Sequence, residues 1–295
     1  MNFDWTPADL ALRKDLAAVK AAPGGLAALR TALAASGYLE IALTRDRAEV
    51  NLTAAMEVAA HQWPERFLPL EMSTRVFGRA LARWGDAAIH KTILDSLRNG
   101  QTAGAMALCE GAQNVTPFDL KTTGAVDNGH IRVTGVKTHV LNPAEADSFA
   151  VLGRLDNRPA LFLVPRRTQG VTVGAVAPTM AGPRVRLGTV TLAECRIPAD
   201  HAIVPAEGDT LLELVRLWEN QVLCAAALAD LGRAFDLAKH FADTHPNGGK
   251  PIIAYQAVAF KLAEMFTLRQ TAQLLAYHAG WRADGADRNA MLLMT

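Results

Sequence analysis

Asp127-Asn128-Gly129-His130-Ile131-Arg132-Val133-Thr134-Gly135-Val136 is the stretch whose reading decides the architecture. Asn-Gly beside an alternating apolar run is a strong hairpin signal, because a tight turn needs left-handed backbone that Asn and Gly adopt at little cost. Ile131, Val133 and Val136 follow on alternating or bulged positions, which predicts a strand. Working outward, Phe149 to Leu152 and Ala160 to Val164 flank Asp156-Asn157 and predict a second hairpin. Val171 with Val173, Val185 with Leu187, and Val190 with Leu192 predict further short strands. So many short strands between about 102 and 205 indicate a closed barrel or small sandwich.

On both sides the apolar period becomes helical. Thr6-Pro7 supplies an N-cap and first helical position, and Leu10, Leu12, Leu16 and Val19 carry a helix that Pro23-Gly24-Gly25 ends. Leu26 to Ala35, Thr53 to His61, Thr74 to Trp84 and Ala87 to Leu97 follow, the last closing at Asn99-Gly100. After Asp209, Leu211 to His245 reads as one long helix stopped by Pro246-Asn247-Gly248-Gly249. Ile252 to Ala283 then returns antiparallel to it, and Asp287 to Thr295 reads as the first turns of another helix. The expectation is an α+β chain of three parts, with a helical unit over 1–101, a β-barrel over 102–205 and an antiparallel helical bundle over 206–295.

Bulk composition narrows the function classes. Half of the 295 residues are hydrophobic, enough for a sizeable core. With 30 Lys and Arg against 29 Asp and Glu, no net field gathers nucleic acid or anionic lipid. Cys109, Cys195 and Cys224 are odd in number and widely spaced, which suggests neither a disulfide framework nor a metal-ligand pair. No apolar run reaches the roughly 18 residues of a membrane span, and the charged N-terminus is unlike a secretory signal. A soluble, cytoplasmic protein without a metal is expected.

Five segments, in order, carry a family resemblance. Ala105-Met106-Ala107-Leu108-Cys109-Glu110 is similar to the "alTEp" flavin strand of the acyl-CoA dehydrogenases. Gly135 to Asn142 with Ala146-Asp147 resembles "NGxKxxIxNxxxAD", and Leu161 to Pro165 with Gly170-Val171 resembles "lFlVpkdxxGv". Arg196-Ile197-Pro198-Ala199-Asp200 resembles "VPaeN", and Tyr255 to Met265 resembles "fQavqfkLAdM". The resemblance implies FAD as cofactor and an acyl-CoA substrate, with an electron-transfer flavoprotein as a possible acceptor. It also implies a reaction in which a base removes the α-proton while the β-hydrogen leaves as hydride. By position in those motifs, Leu108, Cys109, Glu110, His139, Val140, Leu141 and Gln256 are the candidate cofactor contacts. Glu219 falls where some members with a relocated base carry it, so it is the candidate catalytic residue; a solvated helix carboxylate is the alternative.

Several family residues are exchanged. Cys109 stands where the flavin strand has its hydroxyl, and Val115 in Asn114-Val115-Thr116 stands where a Ser meets the pyrophosphate. His139 replaces an aromatic residue, and Leu141 replaces a Thr near the flavin. His245-Pro246-Asn247-Gly248-Gly249 lacks the Arg and Phe that reach a neighbouring subunit's cofactor. The last helical unit is expected to be short relative to the family, leaving the apolar Met291 to Met294 to be covered. These exchanges imply a subunit of a heteromeric acyl-CoA dehydrogenase, of the kind found in lipid or steroid catabolism, paired with a homologous chain that binds most of the FAD. A non-catalytic structural partner and a flavin-free acyl-thioester-binding protein are the alternatives. His61, His90 and His278 read as isolated histidines, and Trp63, Trp84, Trp218 and Trp281 as core anchors.

Overall fold

The computed structural model describes residues 6–19, 25–41, 43, 49–111, 120–180, 182–205 and 211–284. The expected stop at Pro23-Gly24, the Asn114-Val115-Thr116 segment, and the helix and apolar run between Asp287 and Thr295 lie outside the described residues. Helix α1 (Pro7–Ala18) starts with a capping box. The Asp9 N–H donates to Thr6 Oγ1 at 3.2 Å, and the Thr6 N–H donates to Asp9 Oδ2 at 3.1 Å. Helices α2 (Gly25–Ala35) and α3 (Glu49–Gln62) follow.

The next segment corrects the sequence reading, which placed a helix over Thr74 to Trp84. Here α4 (Pro64–Glu71), a π-helical segment (Met72–Val76) and α5 (Phe77–Trp84) run on without a break. Pro64 suits a first turn that needs no N–H donor, whereas Pro69 inside α4 withholds one ladder bond just before the π segment. Helix α6 (Ala87–Arg98) ends at Gly100, whose φ of 69° is the left-handed conformation of a helix stop.

The middle of the chain is one eight-stranded sheet: β1 (Gly104–Ala107), β2 (Thr123–Asp127), β3 (His130–Leu141), β4 (Ser148–Leu155), β5 (Arg158–Pro165), β6 (Val171–Thr179), β7 (Gly182–Pro198) and β8 (Ala202–Ile203). Strand order is β6-β7-β3-β2-β4-β5-β8, with β1 added along β4. Both expected hairpins are present. Their turns put Asn128 and Gly129, and Asp156 and Asn157, at positive φ, as a two-residue turn matched to strand twist requires.

Two strand expectations change. The segments around Val185, Leu187, Val190 and Leu192 form one strand of 17 residues, bent by bulges against β3 and β6. The sheet also curls around one core without a closing ladder, since among the described residues β6 and β8 remain its two edges. Phe149, Val151, Phe162, Val164, Val133, Val190, Leu192 and Cys195 fill that core, so side-chain packing does the closing.

Helix α7 (Leu211–Thr244) is 34 residues long, and α8 (Gln256–Asp284) is 29. Between them, β9 (Pro246–Asn247) and β10 (Lys250–Pro251) make a minimal hairpin with Gly248 and Gly249 at positive φ. Phe235 meets Phe266 at 5.7 Å between ring centroids, and Gly232 faces Arg269. The paired numbers run in opposite directions, so the helices are antiparallel. Trp63 is buried, and Trp84 and Trp218 meet at 5.5 Å, but Trp281 is exposed and stacks on His278. His61 approaches Asp236 at 3.8 Å, and His90 is buried against the Asp86 carbonyl. Cys109, Cys195 and Cys224 form no disulfide.

Contacts divide the chain into two units. One holds residues 1–18, 47–64 and 220–295; the other holds 19–46 and 65–219. In the first, Gln221 donates to the Glu49 carbonyl and to Thr53 Oγ1, and Val50 and Ala54 of α3 pack with Leu228, Ala276 and Tyr277. The second contains the whole sheet and the cavity described next.

Candidate active site

The site begins at the end of β1. Strands β1 and β2 lie end to end along β4, both parallel to it, and past Ala107 the Cys109 carbonyl accepts from the Thr138 N–H of β3 at 2.9 Å. Among the described residues β1 has no strand on its other edge, so its outward backbone groups border the cavity.

A buried clasp fixes the residues after β1. Lys137 Nζ, with no exposed side-chain surface, donates to the Leu108 carbonyl at 3.1 Å and to Glu110 Oε1 at 2.6 Å. Glu110 also accepts from the Lys121 and Thr122 N–H groups at 2.6 and 3.0 Å, which ties the residues after β1 to those leading into β2. Burial alone would raise the Glu110 carboxyl, but these donors outweigh it and hold it at about 2. Its depressed pKa therefore contributes stability that is complete above the ordinary carboxylate range, near 4.5, and is lost as pH falls toward 2. Urea unfolding between pH 5 and pH 2.5 is expected to show a smaller acid-induced loss for Glu110→Gln than for the natural chain. Equal losses would mean that the clasp does not carry the acid sensitivity.

The cavity, about 220 Å³, is lined by Pro69, Met72, Ser73, Gly104, Ala105, Met106, Leu108, Cys109, His139, Leu141 and Glu219. His139 reaches it because β3 carries a bulge between Lys137 and Val140, with His139 itself at φ 54°. That bulge swings an exposed imidazole out of the alternation; its Nδ1 lies 3.1 Å from Thr138 Oγ1. Glu219 is aimed by its neighbour. Trp218 is buried against Trp84 with the Arg79 guanidinium 4.7 Å from its ring, which sets the rotation of α7 and turns Glu219 to the cavity.

Burial pushes the Glu219 carboxyl up to about 7, against the opposing pull of Arg216. Burial first, and then the Glu219 charge, also push the Cys109 thiol up. A carboxyl balanced near neutrality in an apolar cavity can take or return a proton at working pH.

The structure brings Leu108, Cys109, His139, Leu141 and Glu219 together at this cavity. The Val140 side chain is 1 % exposed and packs in the sheet core, leaving its backbone to offer a ligand. Glu110 is likewise taken up by the clasp. Gln256 is exposed at the start of α8, in the other contact unit, and is absent from the cavity lining. In the turn before it, the Tyr255 hydroxyl donates to the Asn247 carbonyl and Lys250 lies over the Tyr255 ring. Pro69, Met72 and Ser73 were missed; the last two sit in a π turn, which leaves no periodic signal in the sequence.

Among the described residues no group of three His, Cys, Asp or Glu side chains could hold a metal, and no helix is long and apolar enough to cross a membrane. An open strand edge beside apolar walls fits the ring of a flavin, which is flat and apolar with a hydrogen-bonding rim. The donor set is lean, however. The one hydroxyl in the lining, Ser73 Oγ, donates to the Leu70 carbonyl at 3.2 Å.

Helices, a curled sheet, then long antiparallel helices, with a carboxylate and an open strand edge at one cavity, define an acyl-CoA dehydrogenase-like protein. The family described as acyl-CoA dehydrogenase, C-terminal domain, matches residues 217–293. Benzylmalonyl-CoA dehydrogenase of Aromatoleum aromaticum is 29 % identical over 205 residues, covering 68 % of this chain and 54 % of its own length. An acyl-CoA dehydrogenase of Bacillus subtilis is 28 % identical over 223 residues, covering 71 % and 57 %. The chain thus spans little more than half the length of these relatives. The three-dimensional structure of butyryl-CoA dehydrogenase from Megasphaera elsdenii shares the fold at a TM-score of 0.87 and 18 % identity, over 100 % of this chain and 84 % of that one. The chain is thus similar to acyl-CoA dehydrogenases in sequence and shares their fold.

Proposed function

We propose that this chain is a subunit of a flavin-dependent enzyme that introduces a double bond next to the carbonyl of an acyl-CoA thioester. Glu219 carries the reading: a half-buried carboxyl at an apolar cavity, raised to about 7, has the placement and the proton affinity of a general base. It takes the α-proton of the acyl group. FAD, when bound, supplies the acceptor for the β-hydrogen as hydride, with an electron-transfer flavoprotein as onward acceptor. The open edge of β1 at Gly104 to Met106, the backbone of Leu108 and Cys109, and the side chains of His139 and Leu141 would hold the ring. Pro69, Met72 and Leu141 exclude water from the proton transfer.

Dependence on a homologous partner is part of the proposal. Cys109 and Leu141 offer the cofactor no hydroxyl, and α7 and α8 expose Leu237, Phe241, Phe260 and Leu268, each more than half accessible. Apolar helix faces of that extent are suited to cover by another chain. The test is the FAD-to-protein ratio of the chain purified alone and with a co-expressed family partner. Little flavin alone and about one FAD per heterodimer are expected, because two or three missing hydrogen bonds at roughly 1–3 kcal/mol each weaken binding by decades. Full occupancy of the isolated chain would defeat the partner dependence. Acyl-CoA binding without flavin in any assembly would favour the flavin-free reading.

A further inference from the structure

Alternation along β3 sends Ile131 and Val133 inward, and the same alternation puts Lys137 on the buried face. An ammonium therefore sits where the strand pattern calls for an apolar side chain. Burial pulls its pKa below the usual lysine value, against the opposing pull of Glu110. A buried ion pair adds little stability over an apolar pair of the same volume, because desolvation offsets the attraction between the charges. What the pair does supply is a fixed geometry of hydrogen bonds, which two apolar side chains cannot make.

That geometry joins two walls of the cavity. Lys137 Nζ donates to the Leu108 carbonyl at 3.1 Å, and the next residue of β3, Thr138, donates its N–H to the Cys109 carbonyl at 2.9 Å. Two consecutive residues of β3 thus grip two consecutive carbonyls past the end of β1. The residue after them is His139, which the bulge holds at φ 54°. Leu108, Cys109 and His139 line the cavity, whereas Lys137 does not. Glu110 anchors the ammonium from the other side at 2.6 Å and is itself tied to the Lys121 and Thr122 N–H groups, so Nζ is held against the Leu108 carbonyl.

From this arrangement we infer that Lys137 is a positioning residue for the flavin ring: anchored by Glu110, it fixes the spacing between the Leu108–Cys109 backbone and the His139 imidazole, and so the fit of a flat ring against both. The inference rests on the flavin reading above and deepens it. Lys137 acts through Leu108 and through the bulge that follows it, without touching the ring.

Two variants separate positioning from support of the fold. Lys137→Met leaves Glu110 without its cation. Lys137→Met combined with Glu110→Gln removes both charges, and the Gln carbonyl can still accept from the Lys121 and Thr122 N–H groups. The urea midpoint is expected to fall in the single variant and to return most of the way in the double one. FAD binding is expected not to follow it back. In the form of the protein that holds FAD, chain or assembly, the FAD Kd of both variants should rise at least about tenfold, on the order of one lost hydrogen bond to a charged group. The flavin absorbance bands should shift as well, because the surroundings of the ring change. A double variant that binds FAD as tightly as the natural protein overturns the inference and leaves the clasp an element of the fold alone. A double variant that stays unfolded overturns it too, since the pair would then serve the fold itself. Failure of FAD to bind the natural protein, alone or assembled, would remove the flavin reading and the inference with it.

Discussion

Glu219→Gln is expected to lower turnover of the flavin-loaded assembly by about 10²–10⁴-fold, the usual cost of losing a general base. The amide keeps the size and polarity of the carboxyl, so acyl-CoA binding should stay within a few-fold. A second signature separates base from scaffold. A carboxyl held at about 7 must be unprotonated to work, so kcat of the natural protein should rise with pH through that value and level off above it. In the variant that limb should disappear. Steady-state rates and single-turnover flavin bleaching between pH 5.5 and 8.5 measure both. Unchanged turnover with an intact pH limb would place the base on another residue or on the partner chain.

The second large effect is on stability. Glu71 is wholly buried with its charge answered by Arg75 and by the Tyr38 hydroxyl, and Arg75 Nη1 already lacks a hydrogen-bond partner. Glu71→Ala strands a buried guanidinium, which costs about 3–5 kcal/mol when one member of such a pair is removed. Replacing both ions with apolar side chains of similar volume, Glu71→Met with Arg75→Met, should recover most of that loss, because no buried charge is then left unpaired. Urea midpoints for the single and double variants decide it. A single-variant loss below about 1 kcal/mol would show that the site admits water.

The curled sheet was legible at short range. Asp127-Asn128-Gly129 and Asp156-Asn157 specify turns through local backbone preference, and the apolar alternation on either side specifies which face goes inward. The long helices were legible for a similar reason, since Pro246-Asn247-Gly248-Gly249 interrupts a continuous helical period. Less legible were features set by strain or by distant partners. Nothing periodic announces the π segment, and β7 was read as separate strands because its bulges interrupt the alternation that marks one long strand. Glu219 was found by its place in a family motif, yet its alternative as a solvated carboxylate could not be dismissed from the chain alone.

Sequence by itself determined the order of helices, sheet and helices, and carried the family resemblance, because hydrophobic period, turn chemistry and motif order are written along the chain. Only the tertiary structure decided where the candidate residues lie. Val140 and Glu110 fall next to cavity residues in sequence, but strand alternation sends the first into the core and Lys137 claims the second. Met72 and Glu219, far apart in the chain, line one cavity. Its apolar walls, assembled from a bulge, a π turn and the packing of Trp218, raise a carboxyl to about 7, since desolvation depends on what surrounds a group in space.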